Sequence, residues 1–153
     1  MRNDLIELFK KVPGAISVAE GIALYKIITE NLSTPMGIAE TFVDLGSYAG
    51  KSSLIGVTAI NDLNRFGAFI MVEPAYNPKG SFRHTGPYFA ADNYVDVITE
   101  RVSTFITKAG LTVFPYGTTS EEFVMSEGAL RISYAFVDTG EHSEASLKPD
   151  LIS

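Results

Sequence analysis

Residues Phe42 to Ser53 read FVDLGSYAGKSS. An apolar run ends in an acid, Asp44, and a glycine, Gly46; a second glycine, Gly50, stands directly before Lys51 and Ser52. A strand that enters a glycine-bearing turn and leaves as a helix is the junction from which parallel α/β sheets are built. Gly50-Lys51-Ser52 is also how a phosphate-binding P-loop ends. That motif, G-x-x-x-x-G-K-[ST], needs a wide loop whose backbone N–H groups wrap the phosphates. Only Ser47, Tyr48 and Ala49 separate the two glycines, and Leu45 stands where the first glycine is required. Asp44 would also set a carboxylate against the phosphates. A dinucleotide fingerprint, G-x-G-x-x-G, wants glycine at position 48, where backbone must approach the pyrophosphate, and Tyr48 occupies it. The turn therefore suits a ligand without a phosphate chain, and Asp44 suits one that carries positive charge.

Outward from this turn, helical and strand signals alternate. Upstream, PGAISVAEGIALYKIITENL holds Ser17 and Glu20 at capping-box spacing. It predicts a helix with Val18, Ile22, Tyr25, Ile28 and Leu32 on one face. ETFVDL is a first strand, Ser52 to about Asn61 a helix, and FGAFIMV a second buried strand that stops at Glu73. Residues 92–109 predict a helix capped by Asp92, with a stripe of Val95, Ile98, Val102, Phe105 and Ile106, ended by Gly110. LTVFPY is a third strand, SEEFVMSEGAL a short helix and ISYAFVD a fourth strand. The expected class is α/β: a doubly wound, mostly parallel sheet with helices on both faces. Ligands of such sheets bind at the carboxyl ends of the strands, where strand order reverses. The quoted stretch is the first of those ends.

Composition sets the outer limits. A chain of 153 residues with 46% hydrophobic content builds one substantial core. The expectation is a single domain over residues 1–153, with an N-terminal helical segment at 1–33 and a core at 40–153. No apolar run approaches the length of a transmembrane helix, and the charged N-terminus shows no secretory signal. The absence of cysteine rules out disulfides and thiolate metal sites and fits a cytoplasmic protein. A net charge of −6 and a lone basic pair, Lys10-Lys11, argue against nucleic acid and for a small-molecule ligand.

The segments FVDLGSYAGKSS, FIMVEP and YAFVDTGEHSEASLKPDL together resemble the first, second and fourth strand-end motifs of class I S-adenosylmethionine-dependent methyltransferases. They are most similar to the small-molecule group, methyltransferase domain family 24. The likeness spans roughly residues 14–151 and implies a Rossmann-like fold, S-adenosyl-L-methionine as cofactor and a small-molecule oxygen or nitrogen acceptor. By that resemblance Asp44 faces the amino group of the methionine moiety, and Gly46 and Gly50 let backbone approach the cofactor. Ser47, Tyr48 and Ser52 line the turn. Glu73 accepts the ribose hydroxyls, and Thr119 and Ser120 lie beside adenine. Asp138 and His142 stand next to the methyl acceptor, His142 as the base and Asp138 as the acid that orients it or acts itself. No metal site is expected, because the relatives' later metal ligands have no counterpart here.

Two departures qualify the likeness. The loop Asp138-Thr139-Gly140-Glu141-His142 is one residue longer than the family's Asp-Gly-x-His. The sequence given also ends at Ser153, before the family's fifth strand, which leaves ISYAFV at a sheet edge that proteins normally cover. A truncated sequence is the favoured explanation; a homo-oligomer covering the edge and a minimal domain are the others. Each residue also has a structural alternative: Asp138 as a helix cap, Glu73 as the start of a proline turn, His142 as a surface histidine. Arg83, His84 and Tyr88 lie in a Gly/Pro-rich loop expected at the surface, from which they could close over a substrate. The competing functional class is an adenosine-cofactor-binding module without catalysis.

Overall fold

The computed structural model describes residues 1–34, 36–79, 92–127 and 130–138. Its strands are β1 (Glu40–Leu45), β2 (Gly67–Val72), β3 (Leu111–Tyr116) and β4 (Tyr134–Val137). They pair in parallel in the order β3-β2-β1-β4. The helices are α1 (Asn3–Lys11), α2 (Val18–Asn31), α3 (Lys51–Asp62), α4 (Tyr94–Val102) and α5 (Ser120–Glu127), with a 3-10 turn at Pro74–Tyr76. The chain builds outward from β1 through β2 to β3 and then returns to the other side of β1. Strand order thus reverses between β1 and β4, in the Rossmann-like α/β arrangement expected from the sequence. Among the described residues no helix is long and apolar enough to cross a membrane.

Alternation along the strands sorts the core into two layers. Phe42, Phe69, Met71, Leu111 and Val113 pack on one face against Val57 and Ile60 of α3, Ile98 and Val102 of α4, and Ile28 of α2. On the other face Val43, Leu45 and Val72 meet Phe123 of α5, whose ring stands edge-on to Tyr116 at 5.6 Å. Helix α3 is buried from Ser52 through Asn61, because Leu54 and Ile55 on its outer side are covered by Leu5, Phe9 and Val12 of the α1 segment. A helix with cover on both sides needs apolar residues all round. Each large side chain so buried contributes about 1.5–3 kcal/mol.

Two helices differ from their sequence pattern. Ser17 and Glu20 do form the capping box of α2, but Ile22 is 42% exposed. The rest of the stripe, Val18, Tyr25, Ile28 and Leu32, does pack inward, and Gly21 and Leu24 take the place of Ile22 on that face. The ring of Phe9 sets this rotation: a Cβ on Gly21 would lie 2.8 Å from its tip, so α1 seats where α2 has no side chain. Helix α4 is shorter than residues 92–109, begins after Asn93 rather than Asp92, and ends at Val102. Three threonines or serines, Thr99, Ser103 and Thr104, bond back to carbonyls three or four residues earlier. Such bonds compete with the helix ladder, and Asn61 takes up the Phe105 carbonyl and the Thr107 N–H beyond the helix end.

At the amino end of the sheet a buried ion pair ties β1 to the turn after α3. The Arg65 guanidinium grips Glu40 through Nε–Oε2 at 2.8 Å and through Nη2–Oε1. It also donates from Nη1 to the Leu32 and Thr34 carbonyls. That pairing holds the Glu40 carboxyl below its usual range. Arg65→Met leaves a buried carboxylate without its cation and should lower stability by about 3–5 kcal/mol in urea denaturation. The double variant Glu40→Leu/Arg65→Met should recover much of that loss.

Candidate functional site

The site gathers at the carboxyl ends of β1, β2 and β4. Asp44 stands opposite Met71 of β2 and Phe136 of β4, one residue before β1 ends. Beyond it the chain turns through three left-handed residues, Gly46 (φ 82), Tyr48 (φ 49) and Gly50 (φ 88). The turn is stitched to β2, for the N–H groups of Gly46 and Ser47 both donate to the Val72 carbonyl, at 2.8 and 3.1 Å. The Ser47 hydroxyl donates to the Asp44 carbonyl at 3.0 Å. Gly50 has two reasons to be glycine: its φ, and Val102 of α4, whose Cγ2 would lie 2.6 Å from a Cβ there. That demand comes from helix packing.

Asp44 is 1% exposed. Its Oδ2 accepts hydroxyls from Ser52 at 2.6 Å and Ser53 at 2.5 Å, both in the first turn of α3. Its Oδ1 is equally buried and has no hydrogen-bond partner among the described residues. Burial pushes the Asp44 carboxyl up to about 6, against the two serine hydroxyls, and the carboxylates of Asp138 and Glu73 push the same way. A buried acceptor left unmatched is costly. Here the orphan is the free half of a carboxylate.

Glu73 directly follows β2 and is itself buried. Its Oε1 accepts the Tyr48 N–H at 3.1 Å and its Oε2 the Ala75 N–H at 3.3 Å. Tyr76 donates its hydroxyl to the Tyr48 carbonyl at 2.5 Å. Tyr48 is thus held at both its N–H and its C=O by the segment after β2, which stabilises a left-handed conformation uncommon for a non-glycine residue. Burial, then the charges of Glu73 and Asp44, keeps the Tyr76 phenol protonated well above its ordinary range. Tyr134 of β4 is raised in the same way, by burial and then by Asp44, and its hydroxyl also has no hydrogen-bond partner among the described residues.

Of the residues anticipated from sequence, Asp44, Gly46, Ser47, Tyr48, Gly50, Ser52 and Glu73 come together in this one bend. Asp138 follows β4 directly, its N–H donating to the Leu45 carbonyl at 2.9 Å, which brings it to the same edge of the site. Thr119 and Ser120 open α5 beyond β3. The Thr119 hydroxyl accepts the Glu122 N–H at 3.1 Å, as a helix cap does. His142, Arg83, His84 and Tyr88 lie outside the described residues. Ser53 and Tyr76 were missed; the only sequence signal for Ser53 was the doubled serine after Lys51. The lysine points elsewhere: Lys51 Nζ sits 4.6 Å from the centroid of the Phe9 ring, a cation–π contact with α1. Among the described residues no cluster of three or more acids or histidines is arranged to hold a metal ion. The family models and the curated proteins compared with this chain give no match.

The Asp44 shift has a consequence for stability. Between pH 3.8 and about 6 the folded chain keeps a proton on Asp44 that the unfolded chain has lost, so stability from this group falls as pH rises through that window. The full shift corresponds to roughly 3 kcal/mol. Asp44→Asn should therefore gain on the unaltered protein by on the order of 2–3 kcal/mol between pH 3.5 and pH 7.5, in denaturant titrations at each pH. A difference that stays constant across that range contradicts the assignment.

Proposed function

We propose that this chain binds S-adenosyl-L-methionine and transfers its methyl group to an oxygen or nitrogen atom of a small-molecule acceptor. The observation that carries this reading is the buried, unpartnered Oδ1 of Asp44, in a bend bounded by two more acids, Glu73 and Asp138. A ligand with an ammonium and a sulfonium supplies the positive charge such a lining calls for, whereas a phosphate chain would be repelled. Lys51, the cation a phosphate ligand would need, is engaged with Phe9.

The cofactor, when bound, supplies a methyl group on a positively charged sulfur. The work left to the protein is alignment and exclusion of water. Asp44 holds the ammonium end, and Ser52 and Ser53 fix its carboxylate in orientation. Glu73 receives the ribose hydroxyls, for which a carboxylate, with two oxygens and about four lone-pair sites, is the natural acceptor. Asp138, at the end of β4, takes the acceptor side, where a base removes the proton of an attacking hydroxyl. His142 shares that role in this proposal. The chain's acidity and lack of cysteine suit a cytoplasmic enzyme of small molecules.

One observation favours a second reading, a module that binds the cofactor without catalysis. The Tyr48 N–H already occupies Glu73 Oε1, a place a ribose hydroxyl would take. The two readings separate in a pair of measurements. Calorimetric titration with S-adenosylhomocysteine should show saturable binding that Glu73→Ala weakens at least tenfold and Lys51→Ala leaves within about twofold. Transfer of a labelled methyl group to a panel of hydroxyl and amine acceptors then supports the enzyme; binding without any transfer supports the module. Failure to bind at all ends both.

A further inference from the structure

We propose that Asp44 is a proton-linked gate for the cationic ligand: the ligand's positive end docks on Oδ1 and in doing so expels a proton from that carboxyl. This inference rests on the proposed ligand class and adds a regulation of the same site, a dependence of occupancy on pH.

The geometry makes the two states of Asp44 unequal. Both serine hydroxyls of the α3 first turn converge on Oδ2, so Oδ1 alone is left to carry a proton or face a cation. Among the described residues, the groups that face Asp44 from each packed element offer it no positive charge. They are Glu73 and Tyr76 after β2, Tyr134 on β4 and Asp138 just after it, and Ser47, Ser52 and Ser53 around the turn. Lys51, the nearest cation in sequence, is drawn off by Phe9. A carboxylate so placed is stabilised either by a proton or by a ligand's cation, and the two compete for one oxygen. The upward shift of Asp44 to about 6 puts that competition in the physiological range.

Competition of this kind fixes both a slope and a stoichiometry. Affinity for S-adenosylhomocysteine, whose ammonium and carboxylate keep their charges between pH 5 and pH 7, should be about tenfold higher at pH 7 than at pH 5. Titrations at pH 5.5 in two buffers of different ionisation enthalpy should show release of most of one proton per ligand bound. Asp44→Asn should bind with an affinity that no longer changes with pH. The double variant His84→Gln/His142→Gln should keep the dependence. Clear binding with equal affinity at both pH values and no proton release overturns the gate while leaving the cofactor reading intact. A dependence that vanishes in the histidine variant overturns it too. If neither S-adenosylhomocysteine nor S-adenosylmethionine binds at any pH, the cofactor reading itself fails and the gate fails with it.

Discussion

A carboxylate with one oxygen saturated and the other without a described partner lies at the centre of this molecule. Asp44 cannot be explained by stability, because burying a charge beside two further acids is unfavourable. An apolar residue of similar size would pack against Met71 and Phe136 without that penalty. The bend around Asp44 is nonetheless organised about it. Two serines from the first turn of α3 aim at a single oxygen, and a third, Ser47, ties the carbonyl of the same residue to the turn. Side chains committed to orienting one acid are what a preorganised electrostatic site requires.

The fold supplies this arrangement through its topology. Sheets whose strand order reverses, as here between β1 and β4, take their ligands at the strands' carboxyl ends, where the turn after β1, Glu73 after β2 and Asp138 after β4 stand. Asp44, Glu73 and Asp138 come from three different strand ends and meet because the sheet is parallel. The helices set the limits of the bend. Val102 of α4 presses on Gly50, Phe9 of α1 holds Lys51 away, and Tyr76 clamps Tyr48 from behind. A turn that resembles a phosphate loop in sequence thus becomes an acid-lined bend whose lysine faces the wrong way for phosphate.

Strands were the most legible feature of the sequence. ETFVDL and LTVFPY coincide with β1 and β3 because short apolar runs punctuated by glycine have few other ways to be buried. Helical faces were less legible. Of the α2 stripe only Ile22 was misplaced, since sequence periodicity does not register a glycine that admits a neighbouring ring, as Gly21 admits Phe9. The helix expected over 92–109 stops early because threonine and serine side chains divert its carbonyls, a tertiary and local competition that apolar spacing does not show. At the bend, the acids and glycines at the strand ends could be named from the resemblance of their motifs. Ser53 and Tyr76 could not, for their part depends on which way a side chain turns after the backbone is fixed. Thr119 shows the converse: a polar residue at a strand end whose hydroxyl caps a helix.

The central claim is electrostatic, and one spectroscopic titration tests it most directly. Carbon-13 labelling of the aspartate carboxyls, followed by NMR from pH 3 to pH 8 in the ligand-free protein, reports the protonation of Asp44 itself, assigned by its loss in Asp44→Asn. The account predicts a carboxyl that titrates near pH 6, well above the ordinary aspartate range. A midpoint at or below the ordinary aspartate value would mean that Oδ1 is already matched by a donor or a cation, and would contradict the account.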